Sequence, residues 1–189
     1  MLKFSKHIIL LLWLSSICFL FAQDANTSSH NLTIVFPEIA LIDIESTEGV
    51  DISFEIDNPD VEAGESFQIH EQNDDLWLNY TSLVSQSGAS RSISVHTNSN
   101  LEVPGLAISL IASAHSGAGD GDLGIPTETV MPSQTPSYIL TGIGTAFTGD
   151  GTSNGHKLTY KLDYEGNMTD LESMSGEVAT VIVIYTITD

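Results

Sequence analysis

Two aspartates in a glycine-rich stretch are the residues best suited to hold an ion. They are Asp120 and Asp122, within Gly117-Ala118-Gly119-Asp120-Gly121-Asp122-Leu123-Gly124. Calcium takes several oxygen ligands from a flexible loop, and carboxylates two apart in such a stretch can supply some of them. A second acidic run, Asp57, Asp60, Glu62 and Glu65, offers the same ligand type. Neither run has the spacing of an EF-hand loop. Asp-Gly pairs also favour the left-handed backbone of tight turns. In a chain with 25 acidic residues, turns are their commoner use. Calcium at Asp120 and Asp122 is the metal to expect if one is bound, and no other cofactor is expected.

Other chemistries find less support. His70-Glu71 begins like a zinc-protease helix, but Asp74 stands where the second histidine is needed. Two histidines one helical turn apart must share that metal. Five histidines follow the first 22 residues, namely His30, His70, His96, His115 and His156, and each reads as a surface or turn residue. No Gly-x-Ser-x-Gly nucleophile elbow is read in the chain, and no catalytic residue is expected. Glycoside hydrolysis needs two carboxyls across a sugar, a condition so many acids satisfy by chance. Trp77 lies on the strand face opposite Leu76, Leu78 and Tyr80. An outward tryptophan can stack on a sugar ring or a partner surface, though packing against a loop is the commoner use. Asn26, Asn31, Asn79 and Asn167 each open an Asn-x-Ser/Thr triplet, which matters only where the source glycosylates such sites.

The compartment is written in the first 22 residues. Lys3 and Lys6 precede an apolar run from Ile8 to Leu14, which resumes after Ser15 and Ser16 and closes at the small residue Ala22. That is the layout of a secretory signal peptide. Its unbroken part is shorter than the roughly 20 apolar residues that span a bilayer, so no transmembrane segment is expected in the mature chain. Ile17 before Cys18 argues against a lipid-anchored cysteine. Cleavage near Ala22 predicts a secreted, periplasmic or cell-surface protein. It would remove the only cysteine and lower the formal charge from −20 to −22. Disulfide scaffolds and thiol catalysis then fall away, and the remaining cations, Arg91, Lys157 and Lys161, are too few to grip nucleic acid.

Residues 23–30 are polar and read as a disordered lead-in. Residues 31–189 are long enough for a single core. Apolar and polar residues alternate at Ile52/Phe54/Ile56, Leu76/Leu78/Tyr80, Ile93/Val95 and Leu158/Tyr160/Leu162/Tyr164. That period belongs to strands with one wet face. Leu106 to Ala114 and Val178 to Ile187 are apolar on both faces and read as central or doubly covered strands. Weaker strands are expected at 32–36, 39–44, 66–70, 127–131 and 137–147. Turns are expected at Asn58-Pro59-Asp60, at 117–124 and at 148–155, and one helical turn fits within 167–175. The pattern predicts an all-β fold, an antiparallel β-sandwich with Greek-key connections, immunoglobulin-like or pilin-like. A closed barrel is the alternative.

The run from Gly176 to Asp189 places a glycine fourteen residues from the end, then alternates Ala179, Val181, Val183, Tyr185 and Ile187. It resembles the terminal strand of chaperone–usher pilin subunits. It differs from them in Thr188, where they carry an aromatic residue, and in lacking a cysteine pair. The resemblance implies self-association, or attachment to other surface proteins, by strand donation through residues 176–189. Leu32, Ile34 and Phe36 would be the donor. Leu76-Trp77-Leu78-Asn79-Tyr80-Thr81-Ser82, Thr141-Gly142-Ile143-Gly144 and Gly155-His156-Lys157-Leu158-Thr159-Tyr160 resemble segments of small exported proteins of Bacteroidota type. That resemblance implies secretion and β structure, and no activity. The expected role is structural or adhesive and non-enzymatic, a fibre subunit being one form. A glycan- or calcium-binding module is the second reading.

Overall fold

A computed structural model describes residues 27–55, 62–65, 69–100, 104–164, 166–172, 176 and 178–189. The expected signal peptide at 1–22 with Cys18, and Asn26, Ile56, Asp57, Asp60 and the turn at Asn58-Pro59-Asp60, lie outside the described residues. The chain divides between Phe36 and Pro37. Residues 27–36 carry no regular secondary structure and are exposed.

From Pro37 onward the protein is all-β and antiparallel. Its elements are β1 (Ile39–Glu45), β2 (Ile69–Leu83), β3 (Arg91–Thr97), β4 (Leu106–Ala112), β5 (Asp120–Pro126), β6 (Ser137–Phe147), β7 (His156–Tyr164), a short helix α1 (Met168–Glu172) and β8 (Val183–Thr188). β7 shows why the sequence folds this way. Burial alternates at every residue from His156 to Tyr164, so Leu158, Tyr160, Leu162 and Tyr164 enter the core while the lysines between them stay at the surface.

Two four-stranded ladders emerge from the pairing. One runs β1-β2-β7-β4 and the other β8-β3-β6-β5. They join into one eight-stranded sheet through a short pairing of β2 with β6, Thr81 opposite Phe147 and Ser82 opposite Ala146. Both ladders feed one apolar cluster: Leu76, Leu78 and Tyr80 from β2, Ile93 and Val95 from β3, Leu110 from β4, Ile139, Leu140 and Ile143 from β6, and Leu158 and Tyr160 from β7. At about 1.5–3 kcal/mol for each large apolar side chain removed from water, this cluster dominates the stability of the fold.

Several expectations are corrected. Ile52 and Phe54 do pack against the core, yet residues 51–55 form no ladder. Their alternation records which side faces inward, not backbone pairing. Residues 32–36 are likewise not a strand, and 127–131 contribute only an isolated bridge from Val130 to Leu110. The 117–124 segment, expected as a turn, contains most of β5. Gly121 lies at φ 93° within it. A methyl there would run into the carbonyl oxygen of Thr145 on β6, so the glycine is what allows β5 to lie against its neighbour. β4 and β8 end their ladders instead of occupying the centre. β4 is nevertheless partly or fully buried on both faces. The 148–155 segment does turn with left-handed glycines at 149, 151 and 155, but it carries the chain from β6 in one ladder to β7 in the other.

Candidate functional site

Asp120 and Asp122 both sit on β5, exposed. Asp120 accepts a hydrogen bond from the amide of Gly121 at 2.9 Å, and the Asp122 carboxylate lies alongside Gly144 of β6. Glu62 and Glu65 meet each other through a backbone amide. Among the described residues, no three His, Cys, Asp or Glu side chains converge as a metal would require. Trp77 is half-buried in β2, between Glu45 of β1 and Lys157 of β7 in the cross-strand register. Lys157 Nζ stands 6.0 Å from the centre of its ring and pairs with Asp74 at 2.6 Å. The tryptophan therefore packs beneath a lysine already held by a carboxylate. His70 is on a strand, not a helix, and its Nδ1 meets Asp163 at 2.8 Å.

A polar cluster that local spacing does not reveal closes one end of the core. His156, the first residue of β7, is fully buried. Its Nδ1 faces the Ser113 carbonyl at 2.8 Å, so that nitrogen carries the hydrogen and Nε2 is left as an acceptor. Nε2 lies 3.3 Å from the Tyr80 hydroxyl, which donates to the Leu123 carbonyl of β5. The Tyr80 ring stacks on His156, and the His115 ring meets it edge-on, each with centroids 5.8 Å apart. His115 Nε2 donates to the Thr148 carbonyl at 3.1 Å. Thr148 is itself buried, and its hydroxyl accepts from the Tyr80 amide at 2.9 Å. Burial holds the His156 imidazole below its ordinary pKa; the Ser113 carbonyl opposes this, the neighbouring His115 lowers it further, and the Leu123 carbonyl opposes it least. Burial likewise raises the Tyr80 phenol well above the usual tyrosine value.

The 148–155 turn holds a feature the sequence reading passes over. Gly151-Thr152-Ser153-Asn154-Gly155 does carry the Gly-x-Ser-x-Gly spacing, which corrects the expectation that no such run exists. Ser153 has φ 68°, the one left-handed non-glycine among the described residues, and it is exposed. The surroundings differ from a nucleophile elbow, which turns from a strand into a helix; here the turn leads into strand β7. His156 is fully buried, with Nδ1 turned to Ser113 and Nε2 facing Tyr80, and no hydrogen bond joins Ser153 to a histidine among the described residues. A serine nucleophile needs a base within hydrogen-bond reach.

Arg91 organises a second polar centre. It is buried at the start of β3. Its Nε donates to Asp189 at 2.7 Å and one terminal nitrogen to Glu38 at 3.3 Å. The other terminal nitrogen reaches the Ile39 carbonyl, Ser82 Oγ and the Leu83 carbonyl. One guanidinium thus ties together the start of β1, the end of β2 and the residue after β8. β8 pairs with β3 along its whole length. Its Tyr185 hydroxyl shares a 2.5 Å hydrogen bond with Tyr160 of β7, joining the two ladders through the core. No protein-family model, curated protein or solved structure matches the chain.

Proposed function

We propose that the protein is an exported, non-enzymatic β-sandwich module with a structural or adhesive role, which associates with further copies or with other surface proteins through β8. The observation that carries this reading is the contrast among the four strands that end the ladders. β5 is blunted by two aspartates, a register shift and Pro126, the devices by which proteins prevent edge pairing. β1 carries Asp43 and Glu45. β4 is uncharged but is bridged by Val130 at Leu110. β8, Val-Ile-Tyr-Thr-Ile-Thr, has neither charge nor bridge on its far side among the described residues. Just before it, Val178 and Ile182 are 91% and 60% exposed, an apolar lead into the strand.

The exposed Leu32, Ile34 and Phe36 supply an alternating apolar segment of the kind that adds to such an edge. The charge balance and the predicted leader suit an exported module. The test is light scattering and cross-linking of the chain begun at Gln23, across a concentration series. Association should rise with concentration and be lost in Ile184→Lys at unchanged thermal stability. A wild-type protein that stays monomeric throughout would overturn the reading.

A further inference from the structure

The two connections that meet over His156 are held by unusually close contacts. Residues 113–119 link β4 to β5, and residues 148–155 link β6 to β7. Ser116 and Gly155 exchange both backbone hydrogen bonds, at 2.9 and 3.0 Å. The Ala118 amide donates to Asn154 Oδ1 at 2.7 Å, and Asn79 Nδ2 donates to the Gly151 carbonyl at 3.0 Å. His115 adds its bond to Thr148, and His156 adds its bond to Ser113. Both histidines therefore belong to the fastening itself, and each bridges two segments far apart in the chain.

We propose that this pair of histidines is an acid-released latch. At neutral pH it holds the 113–119 and 148–155 connections together over the end of the core. In acid it lets them separate while the strands persist. The reason is the absence of any compensating charge. The groups that bear on His156 are Tyr80 from β2, His115 and the Ser113 carbonyl from the first connection, and the Leu123 carbonyl from β5. None is a carboxylate. The acids on the same segments, Asp120, Asp122 and Asp150, are exposed. Lys157, next along β7, lies on the opposite strand face with Asp74. Protonation would place a cation in a fully buried site with a second imidazole edge-on to it at 5.8 Å, an arrangement without a counter-ion. The way to relieve it is to admit water, and the first connection lies against His156 through Ser113 and His115 and is fastened to the second by Ser116 and Ala118. No other part of the fold stacks two histidines in this way among the described residues.

The test is amide hydrogen exchange of the full chain from pH 7.5 to 5.0, corrected for intrinsic rates, alongside the histidine proton resonances. Protection in 113–119 and 148–155 should fall roughly tenfold for each pH unit below the ordinary imidazole value, while β3 and β6 keep theirs. His115→Gln, which retains a donor for Thr148 and removes the imidazole edge-on to His156, should move the opening to lower pH. His156→Asn, which retains a donor for Ser113, should abolish it. If that variant does not fold, the wild-type resonances decide, because His156 must titrate below the ordinary value and together with the opening. Connections that stay protected while His156 titrates normally would overturn the proposal. So would loss of protection in all strands at once.

Discussion

Replacing Arg91 with methionine asks whether one side chain closes an end of this fold. Methionine keeps most of the buried length and removes every donor. The arginine side chain is 5% exposed, whereas those of Glu38 and Asp189 are 49% and 69% exposed. When the guanidinium goes, both carboxylates can be solvated, so each ion pair contributes no more than the 0–1 kcal/mol of a surface pair, roughly. The acceptors set the magnitude. They are Ser82 Oγ, in a residue that is 2% exposed, and the carbonyls of the half-buried Ile39 and Leu83. A buried acceptor left without a donor costs about 1–3 kcal/mol. The total should be about 3–5 kcal/mol, the usual loss on removing one partner of a buried ionic network. Arg91→Lys keeps the charge but cannot span acceptors on three elements, and should lose about half as much. Asp189→Asn should lose less than about 1 kcal/mol. The assay is urea unfolding followed by Trp77 fluorescence and circular dichroism, read as a shift in midpoint at constant slope. An Arg91→Met loss under about 1 kcal/mol, or an Asp189→Asn loss equal to it, would refute the reasoning.

Other perturbations probe the ends of the core. Ser153→Gly removes the strain of a left-handed serine, about 1–2 kcal/mol, at a smaller entropic cost, and should raise the melting temperature; a fall would show that the serine side chain holds a contact. Stability should decline in acid and in alkali. Because burial lowers the His156 pKa, the unfolded chain takes up its proton first, so stability is complete above about pH 6.5 and falls below it by up to about 1.4 kcal/mol per pH unit. Because burial raises the Tyr80 and Tyr185 phenols, the unfolded chain ionises first in alkali, so stability is complete below about pH 10 and is lost above it; denaturant midpoints across pH measure both flanks. In a glycosylating host, the secreted folded form should carry glycan at the exposed Asn31 and Asn167 but not at the buried Asn79, as peptide mapping would show.

The fold was legible where side-chain alternation and backbone pairing coincide. β7 and the later half of β2 announce themselves, because Leu158 to Tyr164 and Leu76 to Tyr80 put every second residue in the core. Ile52 and Phe54 show the limit, since the same alternation can lay an unpaired segment along the core. β5 was illegible for the opposite reason. Its glycines and aspartates are turn residues by composition, and only the proximity of β6 makes a strand of them. Ser153 was within reach, since its motif is contiguous, but the Asp-Gly and Asn-Gly pairs around it spell a turn equally well. The two polar centres were beyond reach. Tyr80 and His156 meet across 76 residues, and Arg91 and Asp189 across 98, so no local spacing encodes either contact.

The charge balance decides what kind of association such a chain can sustain. It carries 25 acidic residues against five basic ones. Arg91 and Lys157 are already committed to carboxylates within the fold. Two copies approaching each other therefore meet mutual repulsion, and contact is cheapest where charge is missing, along the uncharged β8. Salt separates this reading from its rivals. Screening shortens the reach of the repulsion to about 8 Å at physiological ionic strength and about 3 Å at 1 M. An apolar, backbone-paired edge should thus associate more strongly as sodium chloride rises, and calcium should do no more than its ionic strength requires. Sedimentation across a salt series, matched in ionic strength between sodium and calcium, reads this directly. Association that weakens with salt would mean that charge pairs hold the copies together. Association that needs calcium specifically would move the contact from β8 to the carboxylates of Asp120 and Asp122.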